Sequence, residues 1–222
     1  MILAAGRGER MRPLTDTCPK PLLQAGGKPL IAWHLEALAA AGFREVVINH
    51  AHLGALLERA LGDGARWGLR IAWSPENPAL ETAGGIAHAL PLLGSDPFLV
   101  INGDVFCDFP LARARTIAAQ MQAARLLAWC VLVPNPPHHP DGDFALADGL
   151  LDAGRRSLTF SGIGVYRPEL FAGLDPDAPA RLAPLLREAA ARGRVGAELH
   201  DGRWIDVGTP ERLAAVDAQL RR

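Results

Sequence analysis

Apolar residues follow two rhythms in the first half of the chain. Short aliphatic and β-branched runs, such as Ile2-Leu3-Ala4-Ala5 and Val46-Val47-Ile48, alternate with longer segments whose apolar positions recur every three to four residues. The first rhythm suits buried strands and the second suits helices packed along one face. This predicts strands at 2–5, 45–49, 69–73 and 97–101. It predicts helices at 29–38, at 53–61 and from near Thr82 to 93. Gly42 and the Gly62-Asp63-Gly64 turn stop the first two helices. Strands alternating with helices at this spacing build βαβ units. The expected fold is therefore α/β, a three-layer sandwich around a mostly parallel, Rossmann-like sheet.

The second half is less regular. The pattern predicts a helix at 111–124, a strand at 125–133, and a strand pair formed by 143–147 and 158–166. It also predicts a helix at 179–191 and short strands at 197–199 and 203–207. Thr209 is expected to cap a last helix over 210–220, with Pro210 in its first turn. The run Pro134-Asn135-Pro136-Pro137-His138-His139-Pro140 is too stiff for a helix. There are no repeats and no low-complexity segment, and no hexapeptide β-helix array follows.

Composition narrows the function classes. A chain of 222 residues with 49% apolar content suits one large domain. Its net charge of −1 offers no basic field for nucleic acid. Cys18, Cys107 and Cys130 show no CxxC spacing, which points to a reducing compartment rather than a disulfide frame or a zinc site. No apolar run approaches the roughly 18 residues of a membrane span, and no signal peptide is legible. The expectation is a cytoplasmic protein with no membrane partner, and a monomer.

The candidate chemistry begins where the first strand ends. Gly6 and Gly8 break the run, with Arg7, Arg10 and Arg12 close behind, and Pro19-Lys20-Pro21 closes the stretch. Glycines let a backbone turn its N–H groups onto an anion, and guanidinium groups neutralise phosphate. A Walker A loop is absent, and the third glycine of a Rossmann fingerprint would fall at Met11. Gly-x-Gly alone also fits a plain strand-to-helix turn. Of 23 basic residues only Lys20 and Lys28 are lysine, so a lysine between two prolines stands out in an arginine-rich chain. Asp104 follows an apolar strand and a glycine. It reads equally well as a magnesium ligand or as a turn aspartate. Asp206, a carboxylate inside a predicted strand, tilts this toward a shared metal.

The string Gly-x-Gly-x-Arg-x-x-Pro-Leu-Thr followed by Pro-Lys-Pro resembles the sugar-1-phosphate nucleotidylyltransferases, also called NDP-sugar pyrophosphorylases. The resemblance continues through Glu81-Thr82-Ala83-Gly84-Gly85, Asn102-Gly103-Asp104, Phe160-Ser161-Gly162 and Trp204-Ile205-Asp206-Val207-Gly208-Thr209, nearly the whole chain. It implies one nucleotidyltransferase domain over 1–222. Residues 1–108 would hold the nucleotide, and 109–222 would form a smaller sugar-phosphate lobe. The implied reaction joins a nucleoside triphosphate and a sugar-1-phosphate, releasing pyrophosphate with Mg2+. Arg10 and Lys20 would be catalytic. Ala4, Ala5, Gly6, Arg7, Gly8, Glu9, Asn77, Thr82 and Gly85 would bind the nucleotide. Asn102, Asp143, Ser161 and Gly162 would face the sugar phosphate, and Asp104 and Asp206 would hold the metal.

Within the family, Leu-Glu-Thr-Ala-Gly-Gly-Ile, Val-Ile-Asn-His-Ala and Thr-Phe-Ser-Gly-Ile-Gly-Val-Tyr are most similar to members that take UTP and N-acetylmuramate-1-phosphate in peptidoglycan recycling. Pairs such as glucose-1-phosphate with dTTP or UTP, or mannose-1-phosphate with GTP, keep the same mechanism. A non-catalytic nucleotide sensor and a Rossmann dehydrogenase are the readings from other classes. Family members usually carry a few residues ahead of the first strand. Because that strand should be central, their loss would cost stability. Thr82 alone could be a helix cap, with Gly84 and Gly85 admitting a base. Asp143 could be a turn aspartate. Glu169 reads as surface, His34 and His88 as structural, and His138-His139 as a solvated loop.

Overall fold

The apolar runs become neighbouring strands, in a computed structural model that describes residues 1–221. The first half contains β1 (Ile2–Leu3), β2 (Gln24–Ala25), β3 (Lys28–Pro29), α1 (Leu30–Ala40), β4 (Glu45–His50), α2 (Gly54–Leu61), β5 (Arg70–Pro75), α3 (Glu81–Leu93), β6 (Phe98–Asn102) and β7 (Val105–Cys107). The second contains α4 (Arg113–Ala123), β8 (Ala128–Pro134), β9 (Ala145–Ala147), β10 (Leu150–Asp152), β11 (Leu158–Tyr166), α5 (Leu182–Ala191), β12 (Val195–Leu199), β13 (Trp204–Asp206) and α6 (Pro210–Leu220).

Nine strands form one sheet in the order β5-β4-β1-β6-β11-β8-β12-β10-β9. The first four run parallel, as do β8 and β12. β11 is antiparallel to both β6 and β8. β1 is central, between β4 and β6.

Side chains alternate across the sheet and are buried on both faces, as expected where helices cover a sheet on each side. Ile2, Ile48, Ile101 and Val131 join the layer under α1, α2 and α4. Val47, Val100, Cys130 and Leu132 join the layer under α3 and α5. Truncating one of these side chains, as in Ile48→Ala, costs about 2–5 kcal/mol. A third cluster (Met11, Leu23, Ala25, Leu30, Val207, Val216) lies outside the sandwich and seats the glycine loop against α6. Thr209 caps α6 by accepting from Arg212 N over 3.4 Å.

The second half departs from the pattern in specific places. The expected partnership of 143–147 with 158–166 reduces to a single Phe144–Leu158 bridge. β9 instead turns back onto β10, a strand too short to show periodicity, while β11 is drawn into the centre of the sheet. Thr82 is not a cap. It is the second residue of α3, and no side chain caps that helix. No helix among the described residues is long and apolar enough to cross a membrane.

Candidate active site

The cleft opens at the carboxyl ends of β1, β4 and β6, where parallel sheets bind their ligands. The register makes this concrete: Leu3 sits opposite Asn49 on one side and Asn102 on the other. Asn49 Oδ1 accepts from Ala4 N over 2.7 Å, fixing the chain as it leaves β1. Around Gly6 a Cβ would meet nothing within 4 Å, so this backbone is open to the cleft. Gly8 is different. It lies in the left-handed region at φ 70°, and a Cβ there would approach Thr15 Cγ2 at 3.0 Å and Lys20 Cβ at 3.3 Å. Only glycine fits both the turn and that approach. Arg7 and Glu9 are exposed and pair with each other at 3.0 Å.

Three cavities meet at Asn102. The first, about 400 Å³, is lined by Ala4, Ala5, Gly6, Lys20, Thr82 and Asp104 among others. The second, about 360 Å³, takes in Arg10, Asp104, Ser161, Gly162 and Asp206. The third, about 260 Å³, includes Thr82, Asp143, Phe160 and Arg187. Asn102 lines all three. Gly162 keeps it there: at φ 80°, a Cβ on Gly162 would come within 2.7 Å of Asn102 Nδ2. The Ser161 hydroxyl is buried and accepts from Ile163 N at 3.1 Å, while its carbonyl accepts from the Trp204 indole at 2.8 Å.

Both candidate metal ligands lie on the second cavity. β13 pairs with β7, setting Asp206 opposite Val105, and Val207 N donates to Asp104 O over 2.7 Å. Two carboxylates from separate halves of the chain thus stand on adjacent strand ends. That hard-oxygen pair suits a divalent cation that takes its remaining ligands from phosphates and water. Each carboxylate meets a cation of the protein itself. The buried Lys20 Nζ donates to Asp104 Oδ2 over 2.5 Å. Asp206 Oδ1 accepts from Arg212, and His138 Nε2 lies 2.9 Å away. Beneath Asp104, burial lowers the His34 pKa to about 4, although the Asp104 charge pulls it upward.

Several side chains land away from the positions expected of them. Asn77 is exposed and lies off all three cavity walls. Its neighbour Glu76 is the residue on the wall. It is buried, accepting from Asn49 Nδ2 at 2.6 Å and from Leu80 N at 2.8 Å. Gly84 and Gly85 do not open toward a base. A Cβ on Gly84 would strike the Ala178 carbonyl at 2.6 Å, and one on Gly85 would strike Glu76 Oε1 at 2.5 Å. Their smallness lets α3 pack against Ala178 and lets the Asn49–Glu76 pair form. Glu81 leads into the helix at φ 61°, a left-handed conformation uncommon outside glycine.

The Asp143 carboxylate accepts from Phe160 N at 2.9 Å and faces His139 Nε2 at 3.1 Å. His138 and His139 therefore both line the second cavity, while His138 stays exposed to solvent. They go to different carboxylates, as adjacent side chains must. Asn49 was detectable by the criterion that singles out Asp104, a polar residue ending an apolar strand. Glu76, inside a proline-flanked loop, carries no such signal. Away from the cleft, Cys107, Asp108 and His200 come within 4.8 Å of one another. Asp108 is already paired with His200 and Arg203, and burial pushes the Cys107 thiol up to about 11.

A family model described as "Nucleotidyl transferase" matches residues 1–142. The N-acetylmuramate alpha-1-phosphate uridylyltransferase of Neisseria meningitidis serogroup B is 56% identical, over 98% of this chain and 96% of its own. The Caulobacter vibrioides protein of the same name is 39% identical, over 99% and 96%. Among solved structures, a UDP-glucose pyrophosphorylase complexed with UDP-glucose superposes with a TM-score of 0.77 at 20% identity, over 98% of this chain and 96% of that one. At that identity the likeness is one of fold.

Proposed function

This chain belongs to the nucleotidyl transferase family, and we propose that it transfers a uridylyl group from UTP to N-acetylmuramate-1-phosphate, giving UDP-N-acetylmuramate and pyrophosphate. The observation that carries the reaction class is the meeting of the open glycine loop, Lys20 and Asp104 beside Asn102. The choice of substrates rests on the two uridylyltransferases that match it over nearly their whole length.

UTP lies along the first cavity, its triphosphate against the free backbone of Ala5 and Gly6. An oxygen of the sugar phosphate attacks the α-phosphorus in line. The bond to the β-phosphate oxygen breaks, and pyrophosphate leaves with the electron pair. The nucleophile is already anionic, so no general base is needed. Catalysis comes from positioning and charge neutralisation. Lys20 bridges the α-phosphate and the sugar phosphate, and Arg10, which makes no ion pair among the described residues, neutralises the departing phosphates. Asp104 and Asp206 would hold Mg2+, which would supply further neutralisation of phosphate charge. Before substrate binds, Lys20 and Arg212 are the cations paired with these two carboxylates.

The test is pyrophosphate release with Mg2+, crossing UTP, dTTP, GTP and CTP against the 1-phosphates of N-acetylmuramate, glucose and mannose. The expected result is release with UTP and the muramate phosphate. Release only with another pair rejects the substrates and keeps the reaction. Silence throughout, with UTP still bound, rejects the reaction in favour of nucleotide sensing.

A further inference from the structure

The cations on the three cavities are not equivalent. Lys20 is held by Asp104, and Arg181 lies 3.7 Å from Glu81. Arg187, on the inner side of α5, pairs with no carboxylate among the described residues. Its guanidinium lies 5.0 Å from the centre of the Phe144 ring, with only a long contact of 3.4 Å to the Ala153 carbonyl. It is half-buried on the wall of the third cavity, beside Leu182 and Leu186 and on the same cavity as Asp143 and Asn102. A partly desolvated guanidinium without an anion calls for one from the ligand, because removing its water without compensation is unfavourable.

Glucose and mannose offer only hydroxyls there. The C3 lactyl ether of muramate offers a carboxylate and a methyl group on one carbon. That combination matches a guanidinium beside two leucines and a phenylalanine. We propose that Arg187 is the specificity residue for the sugar, binding the lactyl carboxylate while the lactyl methyl packs on Leu182 and Leu186. This rests on the muramate reading of the function and assigns the group that makes the choice.

The experiment compares N-acetylmuramate-1-phosphate with its lactyl amide, which keeps size and shape and removes the charge. Wild-type protein should prefer the acid by about 10- to 100-fold in kcat/KM, the scale of one hydrogen bond to a charged group. Arg187→Gln should take the two equally, mainly through a raised KM for the acid, and Arg187→Lys should recover part of the preference. UTP affinity should stay unchanged in both variants, and Arg181→Gln should keep the preference. A wild-type protein indifferent to the amide overturns the assignment without any variant, and so does an Arg187→Gln protein that still prefers the acid. If the wild type turns over glucose or mannose phosphate and not the muramate compound, the functional reading itself falls, and the assignment with it.

Discussion

Lys20 Nζ donates to Asp104 Oδ2 over 2.5 Å, joining two residues 84 positions apart across the mouth of the cleft. The pair fixes a buried cation on the wall of the first cavity, with Pro19 and Pro21 constraining its backbone on either side. Lys20→Met should lower kcat by about 100-fold or more, the usual cost of removing one aimed charge or donor. UTP affinity should fall far less. Single-turnover pyrophosphate release alongside UTP titration separates these effects, and near-normal turnover rejects the role given to Lys20.

Asp104→Asn and Asp206→Asn each remove one hard-oxygen charge from the second cavity. Each should raise the Mg2+ concentration for half-maximal turnover by about tenfold or more. The two variants should otherwise differ, because Asp104→Asn also frees Lys20 while Asp206→Asn frees Arg212 and His138. A magnesium titration of turnover that is superimposable on the wild type would place the metal elsewhere.

Gly162→Ala tests the junction of the cavities. The residue has φ 80°, and the added methyl would press on the Asn102 side chain. The strained backbone should cost about 1–3 kcal/mol of stability. The displaced Asn102 should raise KM for both substrates, since it borders all three cavities. A urea melt and two KM values decide it. An unchanged KM for either substrate would remove Asn102 from that wall.

His34 gives a prediction with a definite sign. Its folded pKa of about 4 lies below its ordinary value of 6.5. Between those values the unfolded chain takes up the proton more readily. Stability present above pH 6.5 is therefore lost as pH falls toward 4, by up to about 1.4 kcal/mol per pH unit. The difference in urea midpoint between wild type and His34→Gln should shrink from pH 7 to pH 5. A constant difference would mean that His34 is not buried in its neutral form.

The first half of the fold was legible because its strands and helices are long enough to show their periods. Val46, Ile48 and Leu35 each sit on the face their spacing predicts. The cleft-lining residues were legible where a glycine or a carboxylate breaks such runs, as at Gly6, Asp104 and Asp206. The second half was harder to read because β9 and β10 have three residues each, and because the strand that β11 joins depends on distant partners. The cleft role of His138 and His139 was hidden for the same reason. A proline-rich loop looks solvated until the fold brings Asp206 and Asp143 beneath it. Gly84 and Gly85 were read as openings to ligand, while their smallness serves contacts within the protein that only the packed structure reveals.

The seat of the glycine loop has a consequence for the order of assembly. Met11, at the loop's end, is buried with Val207 and Val216, and Gly26 N donates to Asp217 Oδ1 over 2.8 Å. The glycine loop is thus backed by a helix from much later in the chain, with Gly26 and Asp217 lying 191 residues apart. The sheet of the first half can pair while synthesis continues. The loop cannot be seated until α6 has emerged, so nascent chains arrested before residue 217 should bind UTP poorly even though every residue of the glycine loop has already been translated.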